Sequence, residues 1–229
     1  EPELAAYVCA TVPHTAGVLV NSNTKRGNVI LGEKYRTLWG RDYLMDTLCG
    51  LEFKLSVPSF YQVNRDQAEA LYGKALDYAG LTGRETVLDL YCGIGTISLC
   101  LARRARHVIG AEVVPQAVED ARANALRNGV TNAEFFCGDA GEVAARLAGQ
   151  GVRPQVICVD PPRKGLAPEV PAVLASMAPD RIVYVSCNPE TLARDLHFLT
   201  KRGYRVEKIQ PVDMFPHTNH VECITLMEC

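Results

Sequence analysis

The stretch VSCNPETLARDL, residues 185–196, sets a cysteine between an apolar run and the start of a helix. Most cysteines in such a place are small buried hydrophobes. Cys187 stands apart because Asn188 is a favoured N-cap and Pro189 a favoured first helical residue. A helix N-terminus carries about half a positive charge, which favours thiolate over thiol. Cys187 is therefore expected to have a lowered pKa at the end of a strand, where a thiolate can act as a nucleophile.

Two further clusters offer it partners. VDPPRKGL (159–166) puts Asp160 at the end of another strand, followed by two prolines that stiffen the chain and remove two backbone donors. Such a turn can hold a planar base against a cofactor, although an ordinary loop after a strand reads the same way. Arg163 and Lys164 add positive charge suited to phosphate. FPHTNHVECITLM (215–227) supplies His217, His220 and Glu222, and on residue type alone any of the three could serve as base. The histidines also fit plain loop packing. If the strand beginning there runs antiparallel to the others, Glu222 faces Cys187 across one rim.

A third cluster is the glycine turn LDLYCGIGTISL (88–99). Gly93 and Gly95 allow close backbone approach, but the third glycine of the dinucleotide fingerprint is missing. Asp89, just before the turn, would repel a phosphate. Glu112 follows about 20 residues on, where an acid binds ribose hydroxyls, and Asp139 ends the next strand near where an adenine would sit. Acids ending three successive strands around a short glycine turn suit a cationic, phosphate-free nucleoside, S-adenosylmethionine. The plainer reading is a tight strand–helix turn with solvated acids.

Strands and helices alternate to position these residues. Strands are expected over 86–91, 107–113, 133–139, 156–160 and 181–186, with two late ones over 204–213 and 222–227. Helices are expected from Asn64 as N-cap, over roughly 95–106, from Pro115 to near Gly129, and from Asn188 to Gly203. The pattern predicts an α/β fold, a doubly wound, mostly parallel, seven-stranded sheet with ligands at the carboxyl ends of its strands. Residues 1–63 read as a small β-rich region with strands over 17–21, 28–31 and 51–57, leaving 64–229 as the catalytic domain.

With 229 residues, 48% of them hydrophobic, the chain can bury a core. No apolar run is long enough for a membrane span, and no signal peptide is recognisable. The nine cysteines are odd in number and form no CxxC, which argues against a disulfide framework or a structural metal and for a reducing cytoplasm. A net charge of −2 argues against a general nucleic-acid coat but leaves room for basic patches at Lys25-Arg26, Lys34–Arg36, Arg103-Arg104-Arg106, Arg163-Lys164 and Lys201-Arg202. The first residue is Glu1, which reads as a processed or excised fragment.

FYQVN (60–64), LDLYCGIGTIS (88–98), DPPRKG (160–165), SCNP (186–189) and HTNHVE (217–222) together resemble the RNA (uracil-5-)-methyltransferases, which make 5-methyluridine in ribosomal or transfer RNA. Each motif alone is moderately specific; all five in order are highly specific. The resemblance implies a Rossmann-like class I fold binding S-adenosyl-L-methionine. It implies Cys187 as nucleophile and Glu222 as the base that removes the C5 proton. It implies Gln62, Tyr91, Gly93, Thr96, Glu112, Asp139 and Asp160 at the cofactor, and Asp160, Pro161, Arg163 and His220 at the RNA. YCGIGT is similar to bacterial members acting on large-subunit ribosomal RNA, so that substrate is expected, with transfer RNA as the alternative. The expected protein is a cytoplasmic monomer without a metal. Family members usually carry an RNA-binding β-barrel, and many an iron–sulfur cysteine cluster; neither is recognisable here, so weak RNA affinity is expected.

Three rival readings predict different behaviour. An amino-group nucleobase methyltransferase would use DPPR but need no cysteine. A non-catalytic S-adenosylmethionine or RNA-binding module would bind without turnover. An NAD-dependent dehydrogenase is disfavoured by the missing glycine.

Overall fold

The computed structural model describes residues 2–24, 31, 32 and 34–229. The expected strand over 28–31 and the Lys25-Arg26 patch lie almost wholly outside the described residues. The chain opens with a helix, α1 (Pro2–Thr11), where only short strands are expected. The difference has a local cause: PELAAYVCAT begins with proline and is rich in alanine and leucine, which favour helix. β1 (Gly17–Ser22) then pairs antiparallel with β2 (Lys34–Gly40). β3 (Tyr43–Leu48) and β4 (Leu51–Ser56) form a hairpin whose two-residue turn, Cys49-Gly50, has both φ angles positive, 53° and 70°. That geometry matches the twist of the flanking strands.

The larger unit begins with α2 (Arg65–Ala79). Asn64 caps it, accepting the Gln67 N–H, and Gly80 ends it with φ 56°. Then follow β5 (Thr86–Leu90), α3 (Thr96–Ala102), β6 (His107–Glu112), α4 (Pro115–Arg127), β7 (Ala133–Cys137) and α5 (Ala140–Gly149). β8 (Val156–Val159), α6 (Val170–Met177), β9 (Arg181–Ser186), α7 (Pro189–Thr200), β10 (Arg205–Val212) and β11 (Glu222–Glu228) complete the order. The seven strands from β5 onward form one sheet in the order β10-β11-β9-β8-β5-β6-β7. β5, β6, β7, β8 and β9 pair in parallel, and β11 runs antiparallel to both its neighbours.

The central strands are buried on both faces, as their continuous apolar runs require. One face packs on α2, α3 and α4 through Leu71, Leu99, Leu101 and Val118. The other packs on α5, α6 and α7 through Val143, Leu174 and Leu196. Leu48, Leu51 and Phe53 of the β3–β4 hairpin join the first core. Among the described residues no helix is long and apolar enough to cross a membrane.

Two asparagines one turn apart, Asn124 of α4 and Asn128 at its C-cap, replace a strand along β4. Asn124 accepts the Lys54 N–H at 2.7 Å and donates to the Lys54 and Ile94 carbonyls. Asn128 accepts the Glu52 N–H at 2.9 Å and donates to the Glu52 carbonyl at 2.7 Å. The side chains satisfy backbone groups that an open edge would leave bare. Asn124 is fully buried. Asn124→Ala leaves three backbone partners unpaired and is expected to cost about 2–3 kcal/mol, read as a lower urea midpoint.

Candidate active site

The parallel strands end on one rim. There a cavity of about 710 Å³ opens between the ends of β5 and β8, where the strand order reverses. This is where open α/β sheets bind ligands.

Its floor is the turn after β5. Tyr91 sits at φ 67°, a conformation that strains a bulky residue and collects at functional sites. The two glycines act differently. A Cβ on Gly93 would meet nothing within 4 Å, so the turn leaves open space above it. A Cβ on Gly95, at φ 86°, would press on Ala121 and Phe135 at 3.3 Å, so this glycine lets α3 pack closely. Glu112 closes the turn: its carboxylate accepts the Gly93 N–H at 3.1 Å and the Val114 N–H at 2.8 Å. Thr96, at the first turn of α3, donates to the Tyr72 hydroxyl at 3.4 Å.

Gln62 reaches the cavity from the segment before α2. It is 6% exposed, and its Oε1 has no hydrogen-bond partner, an acceptor aimed at nothing in the protein. Asp139 lines the opposite wall and caps α5, its Oδ1 accepting the Gly141 and Glu142 N–H groups. Burial, with the carboxylates of Asp139, Asp195 and Glu169, pushes the Tyr91 hydroxyl up to about 12.

One expected acid turns elsewhere. Asp89 is fully buried and is not among the cavity-lining residues; it accepts the Ser98 hydroxyl of α3 at 2.5 Å. Strand alternation explains the difference: Asp89 shares the α3 face of β5 with Val87, while Leu88 and Leu90 face the other core. Burial pushes its carboxyl up to about 7, and Oδ1 lacks a partner.

On the far wall the register decides which side chains meet. Cys223 of β11 pairs with Ser186 of β9, so one step further Glu222 stands opposite Cys187. Both line the cavity, with Asp160, Pro161 and Arg163 of the loop after β8. The Ser186 hydroxyl donates to the Asn188 carbonyl and accepts the Asn188 N–H, fixing the bend that carries Cys187. His217 and His220 are not among the lining residues. His220 instead accepts an N–H of Arg163 on Nδ1 at 3.2 Å.

The electrostatics reverse one expectation. The Cys187 thiol is pushed up, not down, by burial first and then by the carboxylates of Glu222 and Asp160, with Arg163 opposing them. Burial disfavours the thiolate, and two neighbouring acids add to it. Burial also raises Glu222, and burial with the Glu222 and Asp89 carboxylates raises Asp160 strongly. The thiol thus stays protonated to higher pH than an ordinary cysteine. Iodoacetamide labelling of Cys187, followed by peptide mass analysis, is expected to rise with pH at a midpoint above the ordinary cysteine range. Arg163→Ala is expected to move that midpoint higher.

Tyr72, Ile94 and Phe215 also line the cavity and were not singled out from sequence. Tyr72 lies on the buried stripe of α2 with Ala68, Leu71 and Ala75, so its spacing reads as core. Only the hydroxyl at its tip distinguishes it.

Comparison with known proteins bears on the whole arrangement. Residues 31–229 match the family described as tRNA (uracil-5-)-methyltransferase. The chain belongs to that family. Family members among curated proteins include an uncharacterised RNA methyltransferase of Halalkalibacterium halodurans, 52% identical over 217 residues, covering 95% of this chain and 47% of the relative. Another, from Listeria innocua, is 51% identical over 210 residues, covering 92% and 46%. The chain therefore spans about half the length of the curated relatives it matches. Among solved structures, the tRNA (uracil-54, C5)-methyltransferase of Pyrococcus abyssi, in complex with S-adenosyl-L-homocysteine, is 36% identical with a TM-score of 0.77, covering 93% of this chain and 50% of that one.

Proposed function

We propose that this family member methylates C5 of a uracil in RNA, using S-adenosyl-L-methionine and a covalent bond between Cys187 and uracil C6. The observation that carries the reading is the facing pair: Cys187, just past the end of β9, and Glu222, at the start of the adjacent antiparallel β11, lining one cavity with Asp160 and Arg163. An amino-group methyltransferase has no use for a thiol opposed to a carboxylate.

The residues fit the cofactor. Gln62 Oε1 is an unpartnered buried acceptor able to take an ammonium hydrogen. The space above Gly93 admits a ligand close to the backbone. Glu112 is held by two backbone amides with acceptor capacity left for ribose hydroxyls. Asp139, Tyr91, Thr96 and Asp160 complete the proposed contacts. When bound, S-adenosylmethionine supplies an electrophilic methyl group on a cationic sulfur, and that methyl ends on uracil C5.

The chain's own residues prepare and clear that transfer. Uracil C5 is a poor nucleophile. Cys187 gives its proton to solvent and adds as the thiolate to C6, and the electron pair of the C5–C6 double bond spreads over C5 and O4 as an enolate, which makes C5 electron-rich. Arg163 and Asp160 lie beside the base, and the rigid Asp160-Pro161-Pro162 turn holds its plane. Glu222 then removes the C5 proton, and the C6–sulfur bond breaks to release Cys187. Raised basicity suits Glu222 to that step, and a dry site strengthens each charge interaction. A uracil buried in a folded RNA must be splayed out to enter.

Large-subunit ribosomal RNA is the first substrate proposed, on the YCGIGT turn. Transfer RNA is the second reading, favoured by the Pyrococcus abyssi relative named for a tRNA position. The proposal includes a monomer in a reducing cytoplasm, and residues 1–63 as the lead-in to a catalytic domain of 64–229. The deciding experiment incubates the protein with S-adenosylmethionine and 5-fluorouridine-substituted ribosomal and transfer RNA. Fluorine at C5 cannot leave as a proton, so a stable adduct on Cys187 is expected, and the captured RNA names the substrate. Methyl transfer to unsubstituted RNA without any adduct would move the reading to an amino-group methyltransferase.

A further inference from the structure

The loop after β8 carries Asp160, Pro161 and Arg163, yet its far limb is held by a different element. Asn188 Nδ2 and Thr191 Oγ1 both donate to the Arg163 carbonyl at 3.1 Å. Arg194 donates to the carbonyls of Lys164 and Leu166 at 2.9 and 3.1 Å. All three belong to α7 or its cap, and that helix begins directly after Cys187.

Asp195 lies at the centre of this contact. It is 1% exposed, and Oδ2 accepts both the Leu166 N–H and the Tyr184 hydroxyl at 2.7 Å. Oδ1 accepts from Arg194 Nε at 2.9 Å. One carboxylate thus joins the loop, the middle of β9 and α7. The fit leaves no slack: Gly165 sits at φ 74°, and a Cβ there would lie 2.5 Å from Asp195 Oδ2 and 2.6 Å from Arg194 Nη2. None of these bonds reaches the cavity. A buried carboxylate with every oxygen engaged specifies geometry rather than chemistry.

We propose that Asp195 is a positioning residue that fixes the Asp160–Arg163 loop against Cys187, so that its loss misaligns the two halves of the site without unfolding the chain. The inference rests on the uracil-C5 reading for its consequence, but the tie itself is independent of it. Asparagine at 195 would turn an amide N–H toward the guanidinium or toward the Leu166 N–H, and either breaks one anchor.

The test compares the wild type, Asp195→Asn and Gly165→Ala, the last keeping the Asp195 carboxylate but forcing a methyl group of the loop against it and Arg194. Two readouts are taken. In adduct formation with 5-fluorouridine RNA, both variants are expected to react about 100-fold more slowly at wild-type amplitude, because a misplacement near 1 Å costs about that much. In iodoacetamide labelling, the Cys187 midpoint is expected to fall, since loosening the loop relieves burial, the largest cause of the raised thiol, and weakens the effect of Asp160, which exceeds that of Arg163. Reduced amplitude with an unchanged rate would mean a folding role only and overturn the proposal. Wild-type rate and an unmoved labelling midpoint would overturn it as well. A wild type that forms no adduct, with the midpoint still shifted in both variants, would sink the uracil-C5 reading and leave the positioning role standing.

Discussion

Cys187→Ala is expected to lower methyl transfer to RNA by at least about 10⁴-fold, since a covalent route loses its nucleophile outright. Cofactor binding should survive. The proposed cofactor contacts at Gln62, Gly93 and Glu112 come from the segment before α2, the turn after β5 and the end of β6, not from β9. The expected change in cofactor Kd is under about threefold, or ~0.7 kcal/mol. Equilibrium dialysis with S-adenosyl-L-homocysteine measures the second quantity, and tritiated methyl transfer the first. Transfer at near wild-type rate would remove Cys187 from the mechanism and favour amino-group chemistry. Loss of both transfer and cofactor binding would point to a damaged fold.

Glu222→Gln should behave differently, and the difference separates the two roles. Glutamine cannot take a proton, so product release stalls after the base has been attacked, with turnover down about 10²–10⁴-fold. The adduct should accumulate on ordinary RNA and survive denaturing electrophoresis. Its formation should also quicken near neutral pH. The Glu222 carboxylate is one of the groups that hold the Cys187 thiol up, so removing its charge lowers that thiol's pKa and enlarges the thiolate fraction at a given pH. In the wild type both groups impose losses on the acid side: as pH falls, Cys187 regains its proton first and Glu222 becomes unable to accept one. A Glu222→Gln protein that shows no trapped RNA while Cys187 remains alkylatable would assign the base elsewhere, with His220 and Arg163 the adjoining pair to alter next.

The half of the candidate site that carries Cys187 was legible because its residues sit at ends. Asn188-Pro189 marks a helix start, and DPP and YCGIG mark strand ends, so local chemistry alone set Cys187, Asp160 and Gly93 on one rim. Glu222 needed one conditional step, the antiparallel sense of β11, which the register supplies. What stayed hidden depends on contacts distant in the chain. Whether Asp89 faces the cavity or the core turns on strand parity at the sheet centre. The Cys187 pKa turns first on burial and then on carboxylates brought by β11 and by the loop after β8, none of which is local in the chain. α1 was missed because a short alanine-rich stretch next to strand signals reads ambiguously, and β2 because KYRTLWG is largely exposed and lacks a clean alternation. α5 and α6 were missed as helices, although Asp139 and Glu142 form the acid pair of a helix start.

The place of β11 has a consequence for how the chain reaches this state. β11 lies between β9 and β10, both of which precede it, and β10 touches the sheet only through it. Without β11, β10 has no strand to pair with, so the two are expected to add to β9 together, as one antiparallel hairpin. Until that hairpin docks, β9 presents an unpaired apolar margin, the kind of surface that draws in neighbouring chains. Cys187 stands at the end of that margin. A partly folded molecule would thus display its thiol in an open, wet trough, and the same zippering step that seals the sheet delivers Glu222 beside it. Completing the sheet and setting a carboxylate beside the thiol are thus the same structural act.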